Sequence, residues 1–235
     1  MRRALLLAAA LSLAAATARA ETLPLPDGLI ALDSAEGEAL LLGAEARRDY
    51  FPLAMHFVTQ VNPAFCGPAS ISMVLNALNV PRPASDLTLG LGLFDQANVF
   101  TARTEAVKPQ AEILKGGITL DELAGMLEAH DLRVEKHHAA DVTLERFRNQ
   151  ASAALSDDSR FVLVNYLRSA IGQETGGHIS PLAAYDADTD RFLILDVTRY
   201  KYPPIWVAAP ALFDAMNTPD ADAGGKTRGY VLVGR

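Results

Sequence analysis

The chain contains one cysteine, Cys66, and five histidines, His56, His130, His137, His138 and His178. A thiol and an imidazole are the minimum set for nucleophilic acyl transfer. The thiolate attacks, and a helix N-terminus or a neighbouring imidazolium lowers the thiol pKa enough to populate it. Cys66 opens the stretch CGPASISMVLNALNVPRP, in which Ile71, Val74, Leu75 and Leu78 follow the i, i+3, i+4, i+7 spacing of a helix with one buried face. Pro68 suits a first helical turn, and Asn79, Pro81 and Pro83 end the run. The thiol is therefore expected at or just before a helix N-terminus. The same spacing also suits a small packed core residue, and the residues alone leave both readings open.

Among the histidines, His178 is best placed. It begins a strand-like stretch after the glycine-bearing GQETGG, which allows another segment to approach closely. Asp196 ends the otherwise apolar FLILD, a costly place for an acid without a partner. The DADTD turn between these stretches predicts a hairpin that brings Asp196 beside His178, where a carboxylate orients the ring and stabilises its charged form. A structural histidine and a turn aspartate remain the plainer readings.

The elements that must hold these groups fall into two kinds. An arm with a short helix around Glu36 to Ala46 precedes the Cys66 helix. One or two short helices with loops are expected between SDLTLGLGLFDQANVF and TARTEAVKPQAEILKGG. TLDELAGMLEAHDL carries a capping box, Thr119 with Glu122, and an apolar face of Leu120, Leu123, Met126 and Leu127. TLERFRNQASAAL is a further helix. RFVLVNYL, HISPLAAYD, RFLILDVTRY and RGYVLVG read as strands, with a short helix at PALFDAMN. Helices in the first part and an antiparallel sheet in the second predict an α+β domain.

Composition bounds the partners. The chain has 235 residues, 21 Lys and Arg against 28 Asp and Glu, and a net charge of −7. No cationic run offsets that balance, so a nucleic-acid partner is not expected. MRRALLLAAALSLAAATARA pairs two arginines with an apolar run and a small-residue ending, the pattern of a secretory signal over residues 1–20. The run is short for a membrane anchor, and no later stretch is apolar enough to span. An exported, periplasmic domain over residues 21–235 is the expectation. Exported cysteines usually pair as disulfides, so a lone one is either buried and inert or kept for reactivity. GGKT at 224–227 is a partial phosphate-loop match, but Asp220 stands where that loop requires glycine. His130, His137 and His138 have no cysteine partners at metal-ligand spacing and read as solvated, so no bound metal is expected.

Three blocks, QVNPAFCGPASISMVLNAL, GGHISPLAAYD and FLILDVTRYKYPPIWV, together resemble the phytochelatin synthase family of the papain-like cysteine peptidase clan. The resemblance runs from about Phe51 to the C-terminus and includes LFDQANVF and ITLDELAGML. It implies a papain-like fold with the nucleophile at a helix N-terminus. It also implies an enzyme, a glutathione gamma-glutamylcysteinyltransferase, that forms a γ-glutamylcysteinyl thioester from glutathione with loss of glycine. Carried over by motif, Cys66 is the nucleophile, His178 the acid/base and Asp196 its orienting group. Gln60 becomes a side-chain donor of the oxyanion hole. Asn165, Gly177, Arg199 and Arg228 become substrate contacts, with Arg199 the firmer of the two arginines. No tightly bound cofactor is implied; cadmium or zinc would arrive on the glutathione thiolate as part of the substrate. Plant and yeast-type members carry a cysteine-rich C-terminal region, whereas this chain has a single cysteine and resembles short bacterial members, which mainly hydrolyse the thioester. Two other readings stand beside this one: a non-catalytic binder of thiol peptides or metal–glutathione, and a cysteine peptidase acting on larger peptides. The assembly is open between monomer and homodimer.

Overall fold

The computed structural model describes residues 22–157, 159–174 and 176–235. The secretory signal expected over residues 1–20 lies outside them. In chain order, strand β1 (Ile30–Ala31) precedes helices α1 (Ala35–Gly43), α2 (Tyr50–Met55), α3 (Cys66–Ala77), α4 (Ala102–Val107), α5 (Gln110–Gly116) and α6 (Leu120–Glu128). Strand β2 (Arg133–His138), helix α7 (Leu144–Leu155) and strands β3 (Arg160–Leu167), β4 (Gly177–Asp186), β5 (Arg191–Ile194) and β6 (Ile205–Ala208) follow. Helix α8 (Ala209–Met216) and strand β7 (Gly229–Gly234) complete the described elements.

All the strands join one antiparallel sheet in the order β1-β6-β5-β4-β3-β7-β2. The architecture is α+β. Strands β3 and β7 alternate between two apolar faces. Phe161, Leu163, Val231 and Val233 join the core with α3 and α6. Val162, Val164, Tyr166, Tyr230 and Leu232 join the core beneath α7 and α8. Burying each large apolar side chain contributes about 1.5–3 kcal/mol before entropy is charged against it. A sheet covered on both faces leaves its strand ends as the natural place for a site.

Local chemistry explains where the helices begin. Thr119 Oγ1 accepts from the Glu122 N–H while the Glu122 carboxylate accepts from the Thr119 N–H at 2.7 Å, the expected capping box at α6. Thr101 and Thr104 cap α4 in the same reciprocal way, and Thr143 caps α7.

Two elements refine the sequence expectation. Strands β1 and β2 come from the helical part of the chain and close the two edges of the sheet. β2 reads RVEKHH, with one apolar residue, so no alternation announces it. Its pairing comes from backbone hydrogen bonds to β7, which do not depend on side-chain polarity. The histidines expected to be solvated are instead half-buried. His130 Nε2 lies 3.1 Å from the Val99 carbonyl, His137 packs on Tyr230, and His138 bridges the Thr227 carbonyl and Asp121. Their partners are backbone and neighbouring side chains, and no grouping of three or more possible metal ligands occurs among the described residues.

Candidate active site

Cys66 is the first residue of α3, buried at its N-terminus. Phe65 is the cap residue, and Pro68 occupies the first turn, where its missing N–H has no bond to lose. The first turn is tied to the sheet by Ser70 Oγ, which donates to the Ile179 carbonyl at 3.2 Å. The unpaired amides of that turn place partial positive charge beside the sulfur.

His178 lies on β4, one residue inside its start and opposite Tyr166 of β3. Its Nε2 is 2.9 Å from Asp196 Oδ1 and 2.9 Å from Ser180 Oγ. The other ring face is set edge-on by Tyr166, with centroids 5.7 Å apart. Asp196 sits two residues beyond β5, fully buried. A register shift between Leu182 and Ala184 offsets the β4–β5 pairing by one residue, and the Leu195 N–H donates to the Pro181 carbonyl at 3.0 Å beyond it. That offset aims the carboxylate at His178. The expected Cys66, His178 and Asp196 are thus brought together.

A fourth group completes the charge balance. Arg168, in a 3-10 turn that follows β3, is buried and places Nη2 2.8 Å from Asp196. Arg168 also donates to Thr198 Oγ1 at 3.1 Å and lies over the Tyr202 ring. Burial alone would push the Asp196 carboxyl up, but the charge and hydrogen bond of His178, with Arg168, hold it well below the usual carboxylate range. For His178, burial works against the charged form; the Asp196 carboxylate outweighs it, and the imidazolium is favoured above its ordinary value. Burial raises the Cys66 thiol, yet the hydrogen bond and charge of His178 and backbone hydrogen bonds from Ile179 and Gly67 bring it below its ordinary value. These opposed shifts favour a thiolate–imidazolium pair, the reactive form for attack on a carbonyl.

Gln60 is buried between this cluster and the loop before α3. Its N–H donates to the Val197 carbonyl at 2.9 Å, and its Oε1 accepts from Thr198 Oγ1 at 2.8 Å. Its Nε2 donates to the Asn62 carbonyl at 2.8 Å and to Tyr200 Oη at 3.2 Å.

A cavity of about 460 Å³ opens at Cys66 and His178. Asn165, Gly177 and Arg228 line it, as do Lys108, Lys115, Asp220 and Asp222. Asn165 lies in β3, two residues beyond the core-facing Leu163 and opposite Ile179 of β4. Arg228 is buried. Its Nη1 donates to the Pro219 carbonyl at 2.6 Å, its Nη2 lies 3.5 Å from Asp220, and its Nε has no partner among the described residues. A side chain at position 177 would stand 3.3 Å from the Arg228 guanidinium, so glycine there leaves the arginine its place. Arg199 does not line this cavity; it is exposed and lies over Phe57, 4.7 Å from the ring centroid. Of the two arginines, the structure puts Arg228, not the more favoured Arg199, beside the sulfur and imidazole.

Sequence reading missed Arg168, Thr198, Lys108 and Lys115. For Arg168 a signal existed. An arginine directly after the apolar RFVLVNYL, together with an acid directly after FLIL, marks two charges entering the interior that must meet. Lys108 and Lys115 carried none, because Lys108 follows the end of α4 and Lys115 lies in the last turn of α5, places where lysine is ordinarily solvated.

A family model described as Phytochelatin synthase matches residues 20–230. The chain is 36% identical over 205 residues to Glutathione gamma-glutamylcysteinyltransferase 3 of Lotus japonicus, covering 86% of this chain and 41% of that protein. It is 37% identical over 205 residues to Glutathione gamma-glutamylcysteinyltransferase 1 of Triticum aestivum, covering 86% and 40%. It is 33% identical over 212 residues to the Glutathione gamma-glutamylcysteinyltransferase of Schizosaccharomyces pombe, covering 89% and 50%. The chain thus spans half or less of the length of these curated relatives.

Proposed function

The chain belongs to the phytochelatin synthase family, and from that premise we propose that it is a glutathione gamma-glutamylcysteinyltransferase acting through a thioester on Cys66. The supporting observation is the buried Cys66 thiol, held below its ordinary value by His178, at the mouth of a charged cavity.

In this reading the Cys66 thiolate attacks the cysteinyl carbonyl carbon of glutathione. The tetrahedral oxyanion takes hydrogen bonds from the Cys66 N–H and the Gln60 side-chain amide. When the carbon–nitrogen bond breaks, the imidazolium of His178 gives its proton to the leaving amine, and glycine departs. Neutral His178 then takes a proton from the second nucleophile. Water yields free γ-glutamylcysteine, and the amine of another glutathione yields the longer peptide. Both acceptors restore the thiolate–imidazolium pair. Asp196 holds the ring in the tautomer that keeps Nδ1 toward the sulfur.

Glutathione carries two carboxylates and an ammonium, and the cavity offers Arg228, Lys108 and Lys115 for the former and Asp220 and Asp222 for the latter. Asn165 and the Gly177 backbone supply neutral polar contacts. A cavity of this volume has room for a tripeptide. The papain-like arrangement, with the thiol on a helix and the imidazole on a sheet, is part of the same proposal. So are export through residues 1–20, a single catalytic domain over 21–235, and heavy metal entering as a glutathione thiolate.

Cys66→Ser is expected to keep the fold, by circular dichroism, and to lose glycine release from glutathione. Mass spectrometry of the wild-type protein under burst conditions should show a γ-glutamylcysteinyl adduct on the Cys66 peptide. Glycine release at the wild-type rate by the serine variant would refute the thioester route. Tight glutathione binding with no glycine released by the wild type would favour the binding protein instead.

A further inference from the structure

We propose that Thr198 is a positioning residue that couples the Asp196 carboxylate to the Gln60 side chain and, together with the Asn62 carbonyl, fixes which end of that amide faces the reacting carbonyl. The inference rests on the reading of Gln60 as an oxyanion donor.

The observation is a continuous buried chain of hydrogen bonds with one polarity. Arg168 Nη2 donates to Thr198 Oγ1 at 3.1 Å, which fills a lone pair of that oxygen. The Thr198 N–H donates to Asp196 Oδ1 at 2.8 Å. The remaining Thr198 hydrogen, on the hydroxyl, points to Gln60 Oε1 at 2.8 Å. Arg168 has no acceptor capacity, so the direction of the whole chain is set from its charged end. Gln60 Oε1 must be the accepting end, and Nε2 must be the outward donor. An amide turned by half a rotation would present oxygen to the developing oxyanion and repel it. A glutamine can turn in this way at little steric cost, because its two ends have nearly the same shape. The Gln60 N–H bond to the Val197 carbonyl, at 2.9 Å, holds the backbone but leaves the side-chain rotation undetermined. Thr198, 4% exposed, fixes the oxygen end of the amide, and the Asn62 carbonyl, which can only accept, fixes the nitrogen end.

Two contacts on the donor end complete the arrangement. Nε2 donates to the Asn62 carbonyl at 2.8 Å and to Tyr200 Oη, on an exposed side chain, at 3.2 Å. Both Nε2 hydrogens are engaged, so donation to a substrate oxyanion requires that it take the place of the Tyr200 contact, which leaves the Thr198 side intact.

The test is steady-state kinetics of glycine release for Thr198→Ser, Thr198→Val, Gln60→Ala and the Thr198→Val/Gln60→Ala pair. Thr198→Val keeps shape and removes the hydroxyl. It is expected to lower kcat about tenfold with KM within about twofold, a fraction of the loss typical of an oxyanion donor. Thr198→Ser restores the hydroxyl and should return kcat to within about twofold of wild type. The double variant should be no slower than Gln60→Ala alone, because both changes remove one function. If Thr198→Val does not fold, Thr198→Ala takes its place in the series. A wild-type kcat in Gln60→Ala overturns the reading of Gln60 and the inference with it. A defective Gln60→Ala beside a wild-type Thr198→Val overturns the inference alone. A serine variant as slow as valine, or losses that multiply in the pair, overturns it as well.

Discussion

At the scale of single residues, the site is a balance of four buried groups. Cys66 and His178 are brought toward a charged pair, while Asp196 and Arg168 offset each other behind the ring. Buried charges persist only with partners, and removing Arg168 would leave Asp196 facing one histidine alone. The pH behaviour follows from the directions. The thiol is lowered, so the thiolate survives below the ordinary thiol range; the imidazole is raised, so its charged form survives above about pH 6.5. The His178 contribution to stability is therefore complete below its unfolded value and is lost as pH rises through its folded one. That of Asp196 is complete above its unfolded value of about 4 and is lost as pH falls toward its depressed one. Alkylation of Cys66 by iodoacetamide should accordingly stay fast at pH 6–7. In Asp196→Asn the acid limb of its pH–rate profile should move upward, because the carboxylate that favours imidazolium is gone. An acid limb at the ordinary thiol value in the wild-type protein would contradict the ion pair.

At the scale of elements, the sheet ends carry the cavity wall. Strand β7 begins at Gly229, directly after Arg228, and pairs with both β2 and β3, where Gly229 faces His138 and Asn165. A side chain at Gly229 would fall 2.0 Å from the His137 carbonyl oxygen, which is backbone and cannot turn away. Gly229→Ala is expected to destabilise the protein by about 2 kcal/mol or more through separation of β2 from β7. It should also raise KM for glutathione, since Arg228 shifts with the strand. Urea denaturation with parallel kinetics checks both, and an unchanged midpoint would show that the edge pairing tolerates a methyl group. The sequence readily shows strands such as RFVLVNYL, because both faces are buried and apolar. It hides β2, whose hydrogen bonds are made by backbone.

At the scale of the whole molecule, the balance between the two acceptors is the open quantity. In the proposed reaction water and a second glutathione compete for one thioester, and the cavity of about 460 Å³ would have to admit the acceptor beside the bound acyl group. The chain aligns with 41% of the Lotus japonicus relative and 50% of the Schizosaccharomyces pombe relative, and it has one cysteine. In the proposed reaction cadmium enters on the substrate thiolate. The expected outcome with glutathione is mainly γ-glutamylcysteine and glycine, with oligomers a minor product that rises modestly with cadmium. Chromatography with mass detection resolves these products. Oligomers in excess of γ-glutamylcysteine would reverse the expectation.

The sequence by itself determined the family, the helix that begins at Cys66, the capping box of α6 and the hairpin carrying His178 and Asp196. Each of these depends on interactions within one segment or on an extended motif, so local order is enough to encode it. Only the tertiary structure decided that Arg168 meets Asp196 across 28 residues and that Thr198 meets Gln60 across 138. It likewise set Arg228 rather than Arg199 at the cavity. Periodicity states which face is buried, whereas the partner of a buried charge is chosen by sheet register and by the bulge that shifts it, and these exist only once the strands have paired.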